Sequence, residues 1–137
     1  MAKFKPAYLN TKKWEGGYTG NADDNGNWTG AKKGVGKLIG TNKGITAWRL
    51  KEFLGRMPTV DEMKHIDEAT VMAIYKKHYW LPVRGDEILE QSVANSIYDS
   101  CVNMGAKQAI KLAQRALGIA ETGKLDDFTL GKLNNTI

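Results

Sequence analysis

At 137 residues, with 42% hydrophobic and 26% charged residues, the chain suits one domain with a real core and is unlike a disordered protein. The net charge of +5 is lopsided: residues 1–50 hold nine Lys/Arg against three Asp/Glu, and residues 51–137 hold eleven against twelve. No apolar run approaches membrane-spanning length, the start Met1–Pro6 has no secretory h-region, and the lone Cys101 excludes an internal disulfide, so stable membrane insertion and a disulfide scaffold are not expected.

In chain order, residues 4–14 predict a first helix, with Phe4, Tyr8 and Leu9 at helical spacing. The pair Gly16-Gly17 should stop it and leave Glu15 at its end. From Gly16 to Gly44 the chain is rich in Gly, Asn, Asp and Lys and reads as a long loop with at most a small hairpin. Thr46 is placed to cap a helix through Trp48, Leu50 and Phe53 to Gly55. Thr59-Val60-Asp61-Glu62 is a capping box opening a short helix to about Ile66, and Asp67 or Thr70 opens the next. That helix presents Val71, Ile74, Tyr75, His78 and Tyr79 on one face and ends at Pro82 and Gly85. The longest helix spans Ile88 to Met104, with Leu89, Val93, Ile97, Cys101 and Met104 expected to form the central core face. Gly105 interrupts, Ala106–Leu117 is helical to Gly118, and a last helix starts at Asp126 or Asp127. No strand-like alternation persists, so the fold is mainly α.

The excess positive charge lies in the half that also contains Trp14, Trp28 and Trp48, which suits an anionic polymer such as nucleic acid, a membrane surface or a cell wall. No recognition-helix pattern or RNA-binding aromatic motif accompanies it, so a nucleic-acid partner is not expected. His65 and His78 are too isolated for a metal cluster, and neither metal nor cofactor is expected. The run Trp14-Glu15-Gly16-Gly17-Tyr18 sets one carboxylate beside two residues without side chains and between two rings. Such shielding resists ionisation, which a general acid requires, although a Glu before a glycine pair also marks an ordinary helix end. Asn21-Ala22-Asp23-Asp24-Asn25-Gly26-Asn27-Trp28-Thr29 offers carboxylates and hydroxyls in a turn-forming stretch, without EF-hand spacing. Thr41-Asn42-Lys43-Gly44-Ile45-Thr46 leads into a helix, where hydroxyls could hold water or a sugar.

Together these segments resemble the N-acetylmuramidases of glycoside hydrolase family 108. Glu15-Gly16-Gly17-Tyr18 is similar to the family's Glu-Gly-Gly-Tyr, whose Glu is the catalytic acid. Asp24-x-Gly26-x-x-Thr29 and Thr41-x-x-Gly44-Ile45-Thr46 resemble its Asp-x-Gly-Gly-x-Thr and Thr-x-x-Gly-Ile-Thr. Tyr75 to Trp80 resembles its Tyr-x-x-x-Tyr-Trp helix end. Asp99-x-x-x-Asn103-x-Gly105 and Leu112 to Arg115 are similar to the helical peptidoglycan-associated region that follows. The chain departs in three places: Asn27 stands where the family has a second Gly, Thr29 and Thr41 compete for one family Thr, and the basic segment Gly30–Gly40 is inserted between them.

The resemblance implies a lysozyme-like helical domain over 1–137, with a catalytic-motif half at 1–85 and a helical half at 86–137. It implies a monomeric hydrolase of peptidoglycan glycan strands, cleaving the β-1,4 bond between N-acetylmuramic acid and N-acetylglucosamine. Glu15 would be the general acid and Asp24, with Asp23 behind it, the second catalytic group. Substrate contacts are expected from Tyr18, Trp28, Thr29, Thr41, Thr46, Tyr98 and Asn103. A lytic transglycosylase and a non-catalytic wall-binding or phage structural module remain as alternatives. Without an export signal, the expected setting is a phage lysin made in the host cytoplasm and acting on the wall after release, or carried on the particle.

Overall fold

The computed structural model describes residues 1–12 and 17–135. Among them are seven α-helices and no extended strand: α1 Phe4–Thr11, α2 Ala47–Leu54, α3 Val60–Lys64, α4 Glu68–Tyr75, α5 Gln91–Met104, α6 Ala106–Leu117 and α7 Asp127–Asn135. Three isolated antiparallel bridges, Thr19 with Thr41, Trp28 with Leu38 and Asn42 with Ile45, are the only extended pairing in these residues. The fold is therefore mainly helical, and the long connection between α1 and α2 holds the bridges. Contacts group the chain into two compact units, one of residues 1–12 with 72–137 and the other of residues 13–71.

In the first unit α1 buries Phe4, Ala7, Tyr8 and Thr11, the i, i+3, i+4, i+7 stripe of an amphipathic helix, while Leu9, expected on that face, is 55% exposed. The helix is shorter than the predicted 4–14. It ends at Thr11, whose hydroxyl donates to Asp99 at 2.9 Å, and Lys12 leaves helical geometry at ψ 121°. Its long-range partner is α5, from which Ala94, Ile97, Tyr98 and Cys101 face inward. Leu89 and Met104, assigned to that core face from the sequence, are exposed instead. The chain is extended at Glu90 and α5 starts only at Gln91, so the helical phase shifts and Ile88 is buried in the turn before it. Phe4, Tyr8, Trp80 and Tyr98 form one aromatic cluster, with Phe4 edge-on to Trp80 at 5.8 Å and to Tyr98 at 5.6 Å. Such pairs add about 0.5–1.5 kcal/mol each beyond the area they bury. Burial also pushes the Cys101 thiol up to about 12, as expected of an inert packing cysteine.

Around the C-terminal helices a buried Gln114 replaces an apolar contact. Its amide nitrogen donates to Thr122 Oγ1, the Lys124 carbonyl and Thr129 Oγ1, and its Oε1 accepts from Gly123 N–H. One side chain thus shapes the whole α6–α7 turn.

The second unit is built around α2 and α3. Gly55, at φ 70°, terminates α2 as its sequence predicts, and α3 opens with the Thr59–Glu62 capping box. Asn42 is buried between the loop and α3, donating through Nδ2 to the carbonyls of Met63 at 3.0 Å and Lys64 at 3.2 Å. Those carbonyls belong to the last turn of α3, where the Met63 carbonyl otherwise receives only backbone N–H groups of the following turn, that of Ile66 at 3.4 Å among them.

Candidate active site

The predicted site loop folds from its short polar side chains outward. Asn21 Oδ1 accepts from Asp23 N–H at 2.9 Å, and the Asp24 amide reaches the Asn21 carbonyl at 3.2 Å, closing an Asx turn. Asp24 then caps a short 3₁₀ turn, Asn25–Asn27, its Oδ1 accepting from Gly26 N–H at 3.0 Å. Asn27 is fully buried. It donates to the Asn21 carbonyl through Nδ2, and its own carbonyl accepts from Ile39 and Gly40. The residue that departs from the family glycine therefore ties the stretches around Asn21 and Ile39–Gly40 to its own.

The basic segment 30–40 has a defined shape. Trp28 pairs with Leu38, Thr29 N–H donates to the Lys37 carbonyl, and Lys37 N–H donates back to Thr29 Oγ1 at 2.9 Å. Gly36, at φ 80°, admits no side chain because a Cβ would collide with that hydroxyl. Lys33 pairs with Asp23 at 2.7 Å, while Lys32 and Lys37 project into solvent.

Tyr18 and Thr41 join the two ends. Thr19 and Thr41 exchange backbone hydrogen bonds at 2.8 Å each way, and the Tyr18 hydroxyl donates to the Ile39 carbonyl at 2.7 Å. The Tyr18 ring lies against Gly40, where a Cβ would come within 2.6 Å of it, and Lys64 Nζ stands 5.3 Å from its centroid. Between Asn42 and Ile45 the chain reverses through Lys43 and Gly44, both left-handed at φ 51° and 77°, a two-residue turn that the Lys-Gly pair permits. This turn delivers Thr46 to the N-terminus of α2.

Thr46 is the residue preceding α2, as predicted, but its side chain makes no capping bond. Its Oγ1 is buried and has no hydrogen-bond partner among the described residues. A Cβ placed on Gly26 would lie 3.2 Å from Thr46 Cγ2 and 3.5 Å from Asp24 Oδ1, so Asp24 and the Thr46 methyl flank one point and a side chain there would press on the methyl. The fold thus brings Asp24 and Thr46, 22 residues apart in sequence, to either side of Gly26 within the second unit. Trp28 and Thr29 stand in the same unit in supporting positions: the indole N–H donates to the Ala22 carbonyl at 2.9 Å, and Thr29 is buried behind the hairpin. Tyr98 and Asn103 belong to the first unit. Tyr98 is 1% exposed inside the aromatic cluster, where burial raises its phenol well above the usual range, and Asn103 is exposed on α5 with its amide on the Asp99 carbonyl. Glu15 and Trp14 lie outside the described residues.

A family profile, glycosyl hydrolase 108, matches residues 8–105, from α1 to the glycine between α5 and α6. The chain belongs to glycosyl hydrolase family 108. Among solved structures, twelve chains match. One is SagA of Brucella abortus, 27% identical, with a TM-score of 0.69 over 96% of this chain and 68% of that one. No curated protein matches the sequence significantly. Membership makes the chain a glycoside hydrolase and fits the mainly helical architecture. Within this family member, the sequence reading missed the support supplied by Asn42, whose motif position was noted only for its flanking threonines. The signal was present in its type, since a side-chain amide is the group that can satisfy two carbonyls at a helix end.

Proposed function

We propose that this family 108 hydrolase cleaves the β-1,4 bond between N-acetylmuramic acid and N-acetylglucosamine in peptidoglycan, with Glu15 as the general acid. The acid protonates the glycosidic oxygen as positive charge develops on the departing sugar ring, and a second group must then attack, activate water or stabilise that charge. The observation that carries this reading is the pairing of a family-wide match with an unbroken Glu15-Gly16-Gly17-Tyr18. Loop geometry favours Asp24 over Asp23 as the second group. Asp23 is committed to Lys33, whereas Asp24 has only its Oδ1 engaged among the described residues and lies across Gly26 from the Thr46 methyl group.

In this reading the chain is a monomeric lysin that meets the wall after release from the host cytoplasm, or from a particle. No described helix is long and apolar enough to cross a membrane. Turbidity loss of purified sacculi, with mass spectrometry of the products, tests the proposal. Glu15→Gln keeps size and hydrogen-bonding shape but removes the proton, and should lower turnover about 10²- to 10⁴-fold. Lysis by the mutant at the wild-type rate refutes the assignment, and anhydro-muropeptides from the wild type would reassign the chemistry to a lytic transglycosylase.

A further inference from the structure

One sequence motif, Tyr75 to Trp80, has no place in the site described above. In α4 the buried residues Val71, Ile74 and Tyr75 follow ordinary helical spacing, which would carry the buried face on to His78. The backbone changes pitch instead. Lys76–Trp80 is a π-helical turn, with Leu81 N–H donating to the Lys76 carbonyl at 2.9 Å. The wider turn aligns Trp80 under Tyr75, five residues earlier, and Trp80 becomes fully buried against Phe4 and Tyr98. Its indole N–H is fixed on Asp86 at 2.9 Å, and a Cβ on Gly85 would collide with the ring. Tyr79 is the residue displaced outward by this arrangement.

Tyr79 is half-buried, with its ring against that of Tyr75. Its ring centroid lies 5.3 Å from that of Tyr75 at an interplanar angle of 57°, and Tyr75 in turn contacts Tyr8 of α1 at 6.1 Å. His78 flanks it at 6.4 Å. Among the described residues its hydroxyl has no hydrogen-bond partner. Lys76 and Lys77, on the same turn, are exposed. A π-turn is a less favourable way to continue a helix and occurs often where a side chain must be re-aimed for function. Here it produces a ring with buried aromatic backing, a free hydroxyl at its edge and two cationic neighbours.

We propose that Tyr79 is a substrate-binding residue, on whose exposed face a pyranose ring of the glycan strand stacks. The apolar C–H face of a sugar complements the electron-rich face of a tyrosine, and the phenol edge can hydrogen-bond a ring substituent. The lysines suit a saccharide whose attached groups bear carboxylates. This assignment rests on the peptidoglycan reading above and adds a contact absent from its list of binding residues.

Three measurements on the full chain decide it: KM and kcat on purified sacculi, binding of a chito-tetraose to the Glu15→Gln background, and thermal melting. Tyr79→Phe keeps the ring and should stay within about twofold of wild type in KM, whereas Tyr79→Leu fills similar space without a flat face. The Leu variant should raise KM and weaken tetraose binding by about three- to tenfold, with kcat within about twofold. Equal KM for Leu and wild type overturns the proposal. So does equal impairment of Phe and Leu, or a loss for Leu in kcat alone. A wild-type chain that neither lyses sacculi nor binds the tetraose overturns the peptidoglycan reading along with it, whereas failure confined to the Tyr79 variants leaves that reading standing.

Discussion

Asn42→Ala should be the most damaging small substitution in the site loop. The side chain is 5% exposed and its amide is the observed partner of two carbonyls at the end of α3, those of Met63 and Lys64. Met63 is fully buried, so its carbonyl would keep only the longer bond from Ile66 N–H at 3.4 Å and gain no water, a cost of about 1–2 kcal/mol. Lys64 is exposed and its carbonyl can rehydrate, so that bond is worth about 0.5–1.5 kcal/mol. The expected loss is about 1.5–3.5 kcal/mol, and for a chain of this length each kcal/mol lowers the melting temperature by about 3–5 °C. The melting temperature followed by circular dichroism should therefore fall by about 5–17 °C. Because Asn42 opens the turn that carries Thr46, lysis at a temperature where the variant is still folded should fall as well. A melting temperature within about 2 °C of wild type would show that α3 is held by other contacts and refute the reasoning.

Asp24→Asn should reduce lytic turnover by at least tenfold more than Asp23→Asn, since only the former touches the point shared with Thr46; parity between them in an initial-rate assay would move the second catalytic role elsewhere. Neutralising Lys32, Lys33 and Lys37 together should weaken binding to sacculi at low salt, with the gap closing as the screening length falls from about 10 Å at 0.1 M to about 3 Å at 1 M; a salt-independent loss would mean that the hairpin shapes the site directly. Arg56, hydrogen-bonded to Glu62 at 2.8 Å, together with the Thr59 amide, holds the Glu62 carboxyl at about 2. Its unfolded value is about 4.3, so the pair's stabilisation is complete above that pH and disappears as pH falls toward 2. Urea melts of Arg56→Gln should show a shallower acid-side decline than wild type, and an unchanged decline would assign it to other carboxylates.

Most helices were legible because their boundaries are written in local chemistry. Gly55, Gly105 and Gly118 all adopt positive φ at helix ends, and the Thr59–Glu62 box forms as its spacing demands. What escaped was set by distant contacts. The π-turn exists because Trp80 must reach Phe4 and Tyr98, neither of which a reading of residues 76–80 can see. On α5 the predicted Ile97 and Cys101 are buried, whereas Leu89 falls outside the helix because the chain is extended at Glu90, and Met104 is exposed in its last turn. In the candidate site, the motifs pointed to Asp24 and Thr46, but that Thr46 Cγ2 lies against the glycine between them is visible only in the fold. Tyr98 looked like a ligand contact because a polar aromatic in a family motif carries the same letters whether it faces substrate or core.

The pairing of α1 with α5 governs the order in which the chain can be completed. Thr11 and Lys3 find their partners, Asp99 and Gln91, 88 residues downstream. At about 5–20 residues per second on the ribosome, Phe4, Ala7 and Tyr8 wait several seconds with their apolar stripe uncovered. Residues 13–71 hold most of their contacts among themselves and can begin to organise in that interval. The first helix made is thus among the last to be satisfied, and mutations that weaken its face should show up as poor yield and aggregation during synthesis before they show up as a lowered melting point.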